Sequence, residues 1–161
     1  MFPGAPRSLR SLTHPLWWGS IGVLVLNDHL LKTSGLLPGG LTGKLSDVAG
    51  LIVAPAVLAA LLSVRSVRGW TLVHVLIGLV FAGINVSTGF AAGFTQLTAL
   101  TPFPWHVVVD PSDLAALPAL LASWWILGHA AARPAPHAMG KIWLARAGVG
   151  FGALACMATS P

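Results

Sequence analysis

The stretch DVAGLIVAPAVLAALLSV, residues 47–64, decides the fold class. Its only charge is Asp47, at the first position. At ~1.5 Å per residue, a helix of about 18 residues nearly crosses a hydrocarbon core of ~30 Å. Backbone N–H and C=O groups find no water in lipid, so such a run satisfies them internally as a helix. It does not alternate polar and apolar residues, as a membrane β-strand would.

Four more runs of this kind flank it, at 15–31 (extending as far as Leu37), 70–86, 113–132 and 142–158. The expectation is an all-α membrane protein: a single integral-membrane domain over residues 1–161, with about five transmembrane helices. Composition agrees. Charged residues make up 8% of the 161, against roughly 25% in soluble domains. The chain has four acids, all Asp, and nine Lys/Arg. Those basic residues are scattered between apolar runs rather than gathered on one polar face, which excludes a nucleic-acid module despite a pI near 10.8. The single cysteine, Cys156, leaves no internal disulfide and no CxxC site. Arg7 and Arg10 precede the first run as in a signal peptide, but no small-x-small cleavage site follows, so this run reads as an uncleaved first span. Trp17, Trp18, Trp70, Trp105 and Trp143 stand near the ends of runs, where interfacial anchors are expected.

The basic residues give a topology. Arg7, Arg10, Arg65, Arg68, Arg133, Lys141 and Arg146 fall on one side of the spans, while Lys32 and Lys44 fall on the other. The positive-inside rule then places the N-terminus in the cytoplasm of a bacterial inner membrane and the C-terminus outside. Both outer loops, Gly35–Gly43 and Ser87–Ser112, are apolar and rich in Gly and Pro. The second suggests a short helix around Phe90, Phe94, Leu97 and Leu100 that lies on the membrane or re-enters it.

All four acids lie toward the outer side. They sit with other polar residues in three short strings: NDHLLK (27–32), TGKLSD (42–47) and DPSD (110–113). Each string has a structural reading. Asp110 and Pro111 make a helix start, Ser46 and Asp47 make another, and Asp28 is within reach of Lys32 one turn on. The functional reading is one polar pocket below the outer surface. Asp28, His29, Asp47, His106 and Asp113 are its candidate catalytic groups, a His acting as general base oriented by an Asp. Asn27, Lys32, Lys44, Ser46 and Asp110 are its candidate ligand-binding groups. Two Lys and two helix N-termini suit a phosphate or carboxylate, which points to an anionic lipid-linked or small substrate. The oxygen and imidazole groups would also permit a divalent metal. Neither HExxH nor GxSxG is present.

Three alternatives are a non-catalytic scaffold or assembly subunit of a membrane complex, an ion- or proton-translocating protein, and a b-type haem protein. The last would use His74 and His129, placed at similar depth on different spans. The lipid bilayer is the expected partner, with no nucleic acid and with room for an oligomer. The string Asp110-x-x-Asp113-Leu114 at the start of a span resembles one in VanZ-like small membrane proteins. The Asn and Gly pattern that follows in that family is replaced here by Ala115, Ala116, Leu117 and Pro118, and no residue role is carried over.

Overall fold

The computed structural model describes residues 7–35, 38–100, 105, 107–132, 147–150 and 152, and of residues 7, 8, 28 and 33 the backbone only. Among the described residues every regular element is helical. A short α1 (Arg7–Ser11) leads to α2 (Pro15–Leu26), one π turn (Asn27–Leu31) and α3 (Lys32–Ser34). Then follow α4 (Gly39–Leu61), α5 (Val67–Val86), α6 (Thr88–Thr98), a 3-10 turn (Pro111–Ala116) and α7 (Leu117–Ala132). Among the described residues three segments are long and apolar enough to cross a membrane: Gly39–Leu61, Val67–Val86 and Pro111–Ala132. Their length and apolar composition suit a membrane protein. Of the expected fifth span, 142–158, residues 147–150 and 152 are described and helical, and the rest lies outside the described residues.

Local signals explain the helix ends. Pro15 takes the first turn of α2, where its missing N–H costs nothing, and the His14 ring accepts from Leu16 N at 3.1 Å. Gly35 closes α3 with φ +65°, a left-handed conformation that a side chain would strain. Ser66 and Ser87 cap α5 and α6, accepting from Gly69 N at 3.0 Å and Phe90 N at 3.2 Å.

α4, the expected second span, departs from the sequence expectation. It begins at Gly39 rather than near Asp47, because Pro38, in an extended conformation, sets the break. Half of the string taken for an outer loop is therefore helix. Ser46 and Asp47 lie in its second and third turns rather than at its N-cap.

α4 is the central element, packing against α1, α2, α5 and α7. Its core face (Ile52, Val53, Ala56, Val57, Ala60) meets Trp17, Ile21 and Leu24 of α2 and Leu127 of α7. Trp17 and Trp70 correct the sequence reading, because both are core residues rather than interfacial anchors. Trp17 is fully buried, and its Nε1 donates to Val53 O at 3.4 Å. Trp70 is also buried and donates from Nε1 to Trp124 O at 3.1 Å. Glycines make the room. A Cβ on Gly148 or Gly152 would lie 3.1 Å or 2.9 Å from the Trp17 ring, and one on Gly128 would lie 3.0 Å from Trp70. Close approach through small residues is the usual way for helices to pack where lipid offers no hydrophobic drive.

Candidate functional site

Two polar knots tie the helices together. The first is at the π turn. The extra residue makes Lys32 N–H bond to Asn27 O, five residues back, and turns the fully buried Asn27 toward α4. Its Nδ2 donates to Thr42 O and to Ser46 Oγ, each at 2.7 Å. The second knot joins α4, α5 and α7. Buried His74 has Nδ1 at 2.9 Å from Trp70 O and Nε2 at 3.3 Å from Ser123 Oγ, which itself lies 3.3 Å from Ile52 O. Both ring nitrogens of His74 are thus engaged within the protein. His129 is exposed, with Nδ1 2.6 Å from Trp125 O. His74 therefore presents no unengaged ring nitrogen of the kind the haem alternative needs from it.

The site itself lies where α3, α4, α5 and the start of the third long segment meet. A cavity of about 720 Å³ opens there. Its polar end is lined by Lys32, Ser46, Asp47, Asn85, Asp110 and Asp113. Below them Gly50, Leu51, Ala54 and Leu58 of α4 face Leu76, Ile77, Val80 and Phe81 of α5. Gly39, Gly40 and Gly43 line it too, and a Cβ placed on any of these three or on Gly50 would meet nothing within 4 Å. From Asp47 to Leu58 the lining runs ~16 Å along the helix, about half a hydrocarbon core of ~30 Å. Phe94 of α6 and Trp105 line the cavity as well, with ring centroids 5.7 Å apart and planes at 62°.

Lys44 binds the start of the third long segment. Its Nζ donates to Ser112 Oγ at 2.7 Å and to Asp113 Oδ1 at 2.8 Å. Asp113 is therefore an ion-pair partner rather than a helix cap. Asp110 is the cap, accepting from Ser112 N at 2.9 Å. Hydrogen bonds from Ser112, assisted by the Lys44 charge, hold the Asp110 carboxyl below its ordinary range, so it is ionised at neutral pH. The Lys44–Asp113 side chains are 37% and 21% exposed, which limits what the pair contributes. A double-mutant cycle with Lys44→Ala and Asp113→Ala, read by thermal unfolding in detergent, is expected to give a small stabilising coupling that falls with added salt. A coupling of zero would make the contact incidental.

The sequence strings thus converge in part. Lys32, Ser46, Asp47, Asp110 and Asp113 share one cavity, with Lys44 and Asn27 bonded to its wall. His29 is exposed and does not line the cavity. The Asp28 side chain and all of His106 lie outside the described residues. Among the described residues no group of three or more His, Cys, Asp or Glu is arranged to hold a metal ion. Asn85, Phe94, Trp105 and the glycine face of α4 were not among the candidate site residues of the sequence reading, which gave Phe94 and Trp105 other roles. The Gly39, Gly43, Gly50, Ala54 spacing was the available signal, a small-residue face on one side of a helix. No protein-family model, curated protein or solved structure matches this chain.

Proposed function

We propose that this chain is a small multi-pass membrane protein that binds a membrane amphiphile, a lipid or lipid-linked compound, in the cavity between α4 and α5. The acyl portion lies along Gly50, Ala54 and Leu58. The head group sits at the Lys32, Asp47 and Asp110 end, with any phosphate facing Lys32. One observation carries this reading: a single hollow, open along glycines, has a charged end and an apolar channel about one leaflet deep. In this reading residues 15–34 and 142–158 are the remaining two of five spans, α6 packs beside the mouth as the re-entrant or interfacial element, and the polar end faces outward from a bacterial inner membrane with the N-terminus inside.

A second reading, a scaffold without a ligand, is favoured by the use of Asn27, Lys44 and Asp113 as fasteners between helices. The experiment that separates the two is organic extraction of purified protein followed by mass spectrometry. A stoichiometric amphiphile that survives detergent exchange is expected. Its absence, together with failure of added lipid to bind, would leave the scaffold.

A further inference from the structure

The hydrogen-bonding groups at the cavity mouth are unevenly used. The Nζ of Lys44 is taken by Ser112 and Asp113. The Nδ2 of Asn27 is taken by Thr42 O and Ser46. Asn85, only 5% exposed, turns its Nδ2 back onto Phe81 O at 2.9 Å. These neighbouring donors are therefore committed to the fold.

Two of the acceptors are not. Asp47 lines the cavity and forms no hydrogen bond or ion pair among the described residues. Asn85 also lines it, and its Oδ1 receives no hydrogen bond among the described residues. Asp110 is already held by Ser112, and Asp113 by Lys44, which leaves Asp47 and the Asn85 Oδ1. The rings of Phe94 and Trp105 line the same cavity.

An acceptor that faces the cavity without a protein donor is poorly satisfied there, and a carboxylate more so than an amide. A ligand that satisfies it brings N–H donors and positive charge, and aromatic faces attract the same group. We propose that the head group of the bound amphiphile carries a primary ammonium, seated against the Asp47 carboxylate and the Asn85 Oδ1 beside the Phe94–Trp105 pair. Lys32 on the same rim then meets the anionic part of a zwitterionic head. This rests on the reading of the cavity as an amphiphile site. It revises the anionic substrate suggested by the sequence, because Lys44, counted there as an anion ligand, is neutralised by Asp113.

The test uses the full-length protein in detergent, titrated by native mass spectrometry with phosphatidylethanolamine, its N-acetylated form and phosphatidylglycerol of identical acyl chains. Phosphatidylethanolamine is expected to be retained about tenfold better than the other two, the size of one charge-assisted hydrogen bond. Asp47→Asn should erase the difference, and Asp47→Lys should reverse it toward phosphatidylglycerol. If the Asp47 variants do not fold, the comparison of free and acetylated amine on the unaltered protein decides. Equal retention of all three lipids, all lost on Gly50→Leu, would overturn the ammonium assignment and leave the groove standing. Retention of none would overturn the groove reading and this inference with it.

Discussion

Trp17→Ala is expected to destabilise the protein by about 2–4 kcal/mol, read by unfolding in detergent or nanodiscs. In water-soluble cores, Trp or Phe truncation costs about 3–5 kcal/mol, combining lost transfer energy with the cavity left behind. Between helices in lipid much of the transfer part is absent, because the separated helices already lie in an apolar solvent. The cavity part stays, and here it is large. Trp17 is fully buried, packs edge-on against Trp18 at 5.1 Å, and meets Val53 through its indole N–H. It also fills the space that Gly148 and Gly152 leave open. Its loss should therefore free the 147–152 segment from α2 and α4, which limited proteolysis would detect. Trp17→Phe keeps most of the volume and should cost less than half as much. An unchanged unfolding transition in Trp17→Ala would return this side chain to the lipid interface, where its sequence position first placed it.

Gly50→Leu is expected to leave folding intact while lowering amphiphile retention by about tenfold or more. A Cβ at Gly50 meets nothing within 4 Å, so a larger side chain enters the cavity rather than a packed neighbour. Replacing glycine in a helix also recovers up to about 1 kcal/mol of intrinsic propensity. Leucine at this point blocks the channel between Asp47 and Ala54, separating the charged end from the apolar end. Gly78→Leu is the opposite control. Its Cβ would stand 2.8 Å from Leu120 Cδ2, so stability should fall directly. Retention unchanged in Gly50→Leu, with the protein folded, would remove the groove from consideration as a binding site. If both variants lost stability equally, the glycine face would be a packing surface.

The two predictions concern residues that look alike in the sequence: a tryptophan near a helix start and a glycine inside an apolar run. What the sequence determined by itself is what depends on local, additive cost. Each charge in a bilayer carries a penalty, so thirteen charges that fall mostly between the apolar runs or at their ends are enough to specify membrane helices. The three polar strings were legible for the same reason, since polar residues crowd where the penalty is lowest. The cap at Asp110 was legible too, because capping is set within one turn.

Facing was not legible. In a soluble helix the apolar stripe marks the buried side, but in lipid both sides are apolar and the stripe vanishes. Only the tertiary structure decided that Trp17 points inward, that Gly148 and Gly152 are filled by a neighbour while Gly43 and Gly50 are not, and that Lys44 pairs with Asp113 across 69 residues of chain. That last contact depends on α4 beginning at Gly39, which sets Lys44 and Asp47 one turn apart on the helix surface. One is drawn onto the start of the third long segment and the other is left facing the cavity. The composition of these strings supplied the charges, and the packing of α4 against α5 and α7 assigned their partners.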